Sequence, residues 1–310
     1  MELAAIALQQ FLMMMLMMLT GVISTKTGIV EPRDREMLSR LLVNVILPCA
    51  LFKAFLIEYD PSIMRGLLIS CVAALVILVI GMLLTMPVTK RLGLRERPIL
   101  NVAAIYSNCG YMGFPLVAAL FGDEGLIYAG VFNVVYNLLL FSQGISMLDE
   151  TPDVKEVLLK IVRMPLMIAI GLGLIRFLTG IQVPSLLRTP IETIGEMTGF
   201  LSMFIIGIVL AGTDFPALLG TYAKELTVTI LLRLIVIPFV CVAGCAALHL
   251  GGLPIMTQLV LQACPCAAMA AILAVRYRYN EQLVTGTVVL STLVSIITLP
   301  AWTLVISIWL

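Results

Sequence analysis

An asparagine, two glycines and a proline stand inside an apolar run long enough to cross a bilayer: residues 107–115 read SNCGYMGFP, with apolar residues flanking them over 99–106 and 116–121. A continuous helix would not use those residues there. Irregular backbone at membrane depth is tolerated only where it is buried in protein or lines a watery cavity, because a bare amide facing lipid is costly. The stretch therefore reads as two half-helices separated by an unwound strip that holds Asn108 and Cys109. Gly110 and Gly113 permit backbone angles that other residues resist, and Pro115 suits the first position of the second half-helix, where its missing N–H is no loss. A helix start carries partial positive charge and unpaired donors, so the chemistry expected at this strip is the holding of an anion.

A second apolar run is interrupted in a similar way. Residues 261–271 read LQACPCAAMAA, and Pro265 lies 150 positions after Pro115. Gln262 sits just before this break, and the small residues around Pro265 would let two broken helices cross closely. Cys264 and Cys266 could form a metal–thiolate pair with Cys109 nearby, but core packing is the expected role, and no metal or cofactor is expected. Asn133 and Asn137 are four residues apart and project from one helix face. They either bond neighbouring helices or line a polar cavity beside the crossing. Arg233 is the one basic residue well inside an apolar segment, and an intramembrane charge is by default a functional candidate. It has three open readings: facing a substrate carboxylate, tying carbonyls of a neighbouring helix, or pairing with an acid such as Glu196.

The elements that must position these groups follow from composition. With 61% hydrophobic residues, 12% charged residues and a mean hydropathy of +1.11, the chain is an integral membrane protein whose solvent is the lipid bilayer. A net charge of +1 gives no ground for nucleic acid as a partner. The seven cysteines lie in apolar stretches without the spacing of a disulfide framework, and read as small core residues. The start of the chain lacks the basic region of a signal peptide, so its apolar run is expected to be the first span. Five of its methionines (Met13, Met14, Met15, Met17 and Met18) point around a helix rather than to one place and predict adaptable packing.

At about 20 apolar residues per span, ten segments are expected, at 3–24, 37–58, 66–88, 98–121, 126–148, 161–181, 191–212, 225–249, 254–275 and 283–308. This is an all-α polytopic membrane protein. Five spans in each half, 1–150 and 151–310, make the second half enter the membrane from the opposite side, so the two form inverted repeats with broken segments 4 and 9 in matching places. Fourteen of the 19 lysines and arginines fall on one side if both termini are extracytoplasmic. Trp302 and Trp309 fit an interfacial anchor.

Those residues resemble the auxin efflux carrier family, which includes plant PIN carriers and bacterial malate-permease-like proteins. NCGYMGFP at 108–115 is similar to the family's broken fourth helix, and SRLLVNVILPCALF at 39–52 to its second. RMPLMIAIGLGL at 163–174 is similar to the sixth, RLIVIP at 233–238 to the eighth, and Pro265 with AVRYRYN at 274–280 to the ninth and its exit. The resemblance covers nearly the whole chain. It implies crossed broken helices 4 and 9, like those of NhaA and the bile-acid symporters, a support domain from helices 1, 2, 6 and 7, and a transport domain from helices 3–5 and 8–10. It also implies carriage of a small organic anion, often by a homodimer in the cell membrane. By position, Asn108 and Pro115 match the residues of the first crossing, Pro265 the second, and Asn133 or Asn137 a site-lining amide. Met164 replaces an asparagine common before the sixth-helix proline, Met203 and Phe204 stand where a proline is common, and the long hydrophilic central loop of many plant carriers is missing. Auxin itself is therefore not the expected natural substrate.

The expected function is a secondary transporter of a small carboxylate working by alternating access. A cation-coupled antiporter or symporter is disfavoured because no acid lies between residues 126 and 147, and an intramembrane enzyme because His249 is the sole histidine. A membrane sensor that binds the anion without moving it is the remaining alternative. A reporter active only in the cytoplasm, fused after Leu310, is expected to be silent; an active fusion would invert the topology.

Overall fold

The computed structural model describes residues 2–148, 153–213 and 215–309. Every regular element among them is helical. In the first half these are α1 (Glu2–Lys26), α2 (Arg35–Leu41), α3 (Leu47–Ala54), α4 (Pro61–Arg91), α5 (Arg97–Ile105) and α6 (Phe114–Leu139). The second half holds α7 (Val154–Val162), α8 (Pro165–Thr179), α9 (Ser185–Glu196), α10 (Thr198–Ala211), α11 (Phe215–Leu231), α12 (Ile237–Ala247), α13 (Leu253–Ala263), α14 (Ala268–Arg276) and α15 (Glu281–Trp309). Among the described residues, six helices are long and apolar enough to cross a membrane: Pro32–Ala54, Pro61–Arg91, Cys109–Gly144, Ser185–Ala211, Gly220–Ala247 and Glu281–Trp309. A seventh results if the pair Lys155–Val162 and Pro165–Thr179, bent by 67°, is one span. The polytopic all-helical class is thus present.

Lengths explain why some expected segments fall outside that set. α5 and α13 have nine and eleven residues, which at 1.5 Å per residue is roughly 14 and 17 Å, about half of a 30 Å hydrocarbon core. They are half-helices. The opposite deviation occurs at Cys109–Gly144, whose 36 residues would run to about 54 Å if straight. Gly122, at φ 63° and ψ −155°, breaks that run at an exposed turn, and a left-handed φ is open to glycine at no steric cost.

Wide π turns recur ahead of prolines. Leu42–Ile46, Cys109–Gly113 and Leu232–Val236 precede Pro48, Pro115 and Pro238, each proline standing six residues after the turn begins. Proline lacks an N–H and its ring presses on the carbonyl four residues back, so a wider turn relieves the clash within a continuing helix. The carbonyl four residues before Pro238, that of Leu234, accepts a bond from Trp302 Nε1 at 2.7 Å. Trp302, expected as an interfacial anchor, is half-buried and its ring N–H satisfies backbone freed by a proline.

α1 runs along α10, α3 packs on α8 and α9, α4 packs on α6 and α13, and α15 packs on α11, α13 and α14. Glycines set the closest of these contacts. A Cβ on Gly21 would stand 2.2 Å from the Phe204 carbonyl oxygen, and one on Gly207 would stand 2.1 Å from that of Met18. Such approach is how membrane helices associate, since lipid supplies no hydrophobic drive between them. Gly207→Ala is expected to lower the melting temperature of the purified protein, in line with about 1–3 kcal/mol for overpacking. Gly171→Ala, where the added carbon meets nothing within 4 Å, should melt like the parent.

Candidate functional site

The two unwound strips meet each other. After α5 ends at Ile105 the chain is extended at Tyr106 and Ser107 and turns at Asn108, and after α13 ends at Ala263 residues 264–267 form the second strip, extended at Cys264 and Ala267. Ser107 and Cys266 form an antiparallel bridge. Asn108 N–H donates to the Pro265 carbonyl at 2.8 Å, and Ala267 N–H donates to the Tyr106 carbonyl at 3.0 Å. Cys266 N–H donates to Ser291 Oγ of α15 at 3.1 Å. Backbone that would be orphaned at membrane depth is thus paired by the other break and by one hydroxyl.

Both half-helix starts differ from the sequence expectation. The helix leading into α6 begins with the π turn at Cys109 and has Asn108 as its cap, so Pro115 lies at the second position of α6 rather than at the start. Asn108 O accepts from the N–H groups of Met112 and Gly113. Pro265 lies in the extended strip, and the second half-helix starts at Ala268. Neither Gly110 nor Gly113 adopts a positive φ. Gly113 is required for space instead: a Cβ there would meet Leu261 Cδ2 at 2.6 Å and Cys264 Sγ at 3.3 Å, whereas one at Gly110 would make only an ordinary contact with Leu47.

Arg233 takes the role of tying carbonyls. It is fully buried, its Nε donates to the Cys264 carbonyl at 3.0 Å, and its Nη1 donates to the carbonyls of Ala104 at 3.0 Å and Ile105 at 2.8 Å. Nη2 has no partner. Glu196, the acid suggested for it, pairs with Lys53 at 2.9 Å instead. Arg233 therefore joins the C-terminal ends of α5 and α13. Each such end carries roughly half a negative charge, and two of them balance one guanidinium.

Asn133 and Asn137 join each other beside Cys109. Asn137 Nδ2 donates to Asn133 Oδ1 at 2.7 Å and to the Asn133 carbonyl at 2.8 Å, and Asn133 Nδ2 lies 3.8 Å from Cys109 Sγ. Asn108, Cys109, Asn133 and Asn137 are all buried, and among the described residues Asn108 Nδ2 and Ser107 Oγ lack partners. Gln262 is fully buried with neither its oxygen nor its nitrogen bonded, facing Gly81 of α4. Unpaired buried polar atoms are places where a polar ligand or water can enter, and Ser70, Thr85, Thr229, Gln258 and Thr298 each carry one as well. Of the seven cysteines, Cys109, Cys241, Cys264 and Cys266 are buried, while Cys71 is exposed, contrary to the expectation of core packing for all of them.

Two features were missed in the sequence. Met14, Met15 and Met18 do converge, lining a cavity of about 10 Å³ with Phe11, Met112 and Met203, between α1, α10, α15 and the π turn. The missing signal was tertiary, since two of those five sulfurs come from other helices. A larger cavity of about 540 Å³ opens between residues 32–36, the end of α10 and the start of α15, where Arg35 pairs with Glu281 at 3.7 Å.

Comparison with known proteins adds the family. The pattern of a family described as membrane transport protein matches residues 6–156 and 152–303. The chain is 26% identical over 301 residues to an uncharacterized transporter of Methanothermobacter thermautotrophicus, covering 95% of this chain and 97% of that protein. It is 22% identical over 302 residues to one of Methanocaldococcus jannaschii, covering 94% and 96%. With one of Escherichia coli it shares 23% identity over 217 residues, 67% of each chain.

Ser291→Ala leaves the buried Cys266 amide without an acceptor and is expected to destabilise the protein by about 1–3 kcal/mol, read as a lower melting temperature. Ser307→Ala, at a half-buried position whose hydroxyl donates to the Leu304 carbonyl of its own helix, serves as the milder comparison.

Proposed function

The chain belongs to the membrane transport protein family, that of the auxin efflux carriers, and from that premise we propose that it is a secondary transporter carrying a small organic anion, a carboxylate such as malate or another dicarboxylate. The observation that carries this reading is the balance of helix ends at the crossing. Four half-helix ends meet there: the C-terminal ends of α5 and α13, and the N-terminal ends at Cys109 and Ala268. Arg233 occupies the two negative ends. The two positive ends are opposed by no acidic side chain within residues 97–122, 126–148 or 254–280. What remains is a buried positive field with unpaired amide donors, suited to a carboxylate.

On this reading the chain crosses the membrane ten times, α5 and α13 being the first parts of two broken crossings, as two inverted five-helix repeats. The reciprocal bonds around the Ser107–Cys266 bridge have the local two-fold relation that such repeats require. Helices α4–α6 and α11–α15 form the moving group against a support of α1–α3 and α8–α10. The buried amides face a site closed in this conformation, and the cavity beside Arg35 and Glu281 is the approach on the cytoplasmic side. The protein works as a homodimer in the cell membrane with both termini outside.

The test is uptake of labelled dicarboxylates into proteoliposomes, which separates a carrier from a sensor, together with binding of an acid and its amide. Two helix ends at 0.3–2 kcal/mol each predict a preference for the acid of roughly tenfold to a thousandfold. Asn108→Ala should insert normally and weaken acid binding by about 0.5–3 kcal/mol. Equal binding of acid and amide by the wild type would remove the anion site.

A further inference from the structure

Arg233 is fully buried, and among the described residues no carboxylate lies within salt-bridge distance of it. A buried cation without a counter-ion is strongly disfavoured unless fixed dipoles replace the water it has lost. Here those dipoles are the last carbonyls of two half-helices, reached by Nε on one side and Nη1 on the other at 2.8–3.0 Å. A cluster of backbone carbonyls at a broken helix end is also the arrangement that coordinates a free monovalent cation in carriers with discontinuous helices. The oxygens of Ala104, Ile105 and Cys264 are therefore a cation site already filled from within the chain.

We propose that Arg233 is a tethered substitute for a coupling cation: its guanidinium holds the negative ends of α5 and α13 together, so the crossing assembles and works without sodium or any other free monovalent cation. The inference deepens the proposed function, since it removes cation coupling at the same crossing, but it concerns the helix ends and not the carried anion. Two observations favour a permanent tether over a substrate contact. The donors with known partners are all committed to backbone. The residues they join, α5 and α13, end on the two strips whose mutual pairing forms the crossing. Lysine would keep the charge, but a single ammonium lacks the fixed spread of Nε and Nη1 that spans both helix ends.

The experiment is thermal unfolding of the purified full chain in detergent at constant ionic strength, with sodium, potassium or N-methylglucamine as the sole added cation, and no transported solute. The wild type should melt at the same temperature in all three. Arg233→Ala should melt lower by roughly 5–15 °C and regain a large part of that loss in about 50 mM guanidinium, but not in the same concentration of N-methylglucamine. A sodium-specific rise in the wild type would show a free-cation site and overturn the proposal, as would an Arg233→Ala protein that folds and ignores guanidinium. If Arg233→Ala does not fold, Arg233→Lys decides: a lower melting temperature that stays indifferent to sodium supports the tether, and wild-type stability or a sodium response overturns it. Because no arm uses uptake, a protein that carries no anion can still pass this test, and a sodium-dependent one can still be a transporter.

Discussion

Two interrupted helices at membrane depth leave backbone groups that neither lipid nor water can satisfy, and the architecture of the centre follows from how those groups are paired. The extended strips bond to each other through Asn108 and Ala267, Ser291 takes the Cys266 amide, and Arg233 takes the carbonyls of Ala104, Ile105 and Cys264. Each solution draws on a different part of the chain. Neither broken helix is therefore a self-sufficient element: α5 and α13 are each about half the length a crossing requires, and their ends are completed by Arg233, by Ser291 and by each other's strips rather than from within the same helix.

That pairing sorts charge within a small volume. A guanidinium on the C-terminal ends takes up two of the four helix ends at the crossing, and Asn108, Asn133, Asn137 and Gln262 are buried on the strip or on the helices that lead to it. The electrostatic character of the site thus rests on backbone more than on side chains. This is consistent with the chain's near-neutral composition: a net charge of +1 conceals a strongly organised interior.

Around this centre, close packing is obtained with small residues and local widening of helices. Gly113 admits Leu261 and Cys264, and Gly21 and Gly207 admit opposing backbone. The π turns allow Pro48, Pro115 and Pro238 to stand within spans without ending them. Methionines from α1, α10 and the π turn at Cys109–Gly113 line the seam where α1 and α15 come together, and their unbranched side chains can repack if the elements shift.

The membrane class, the family resemblance, the two interruptions and the helix face shared by Asn133 and Asn137 were all legible in the sequence, because each depends on local composition or on spacing along a helix. So was the importance of Arg233, since a charge among apolar residues stands out. Its partners were not legible: a carbonyl leaves no trace in the identity of a residue, so nothing in the sequence marked Ala104, Ile105 and Cys264 as the groups it would bind. The same limit moved the half-helix starts from the prolines to Cys109 and Ala268, because a proline marks a disturbance and the surrounding hydrogen bonds decide where the helix resumes. Cys71 faces outward and Met14, Met15 and Met18 converge for a related reason. In a chain apolar on every side, sequence pattern separates membrane from water, but only tertiary packing separates lipid from protein.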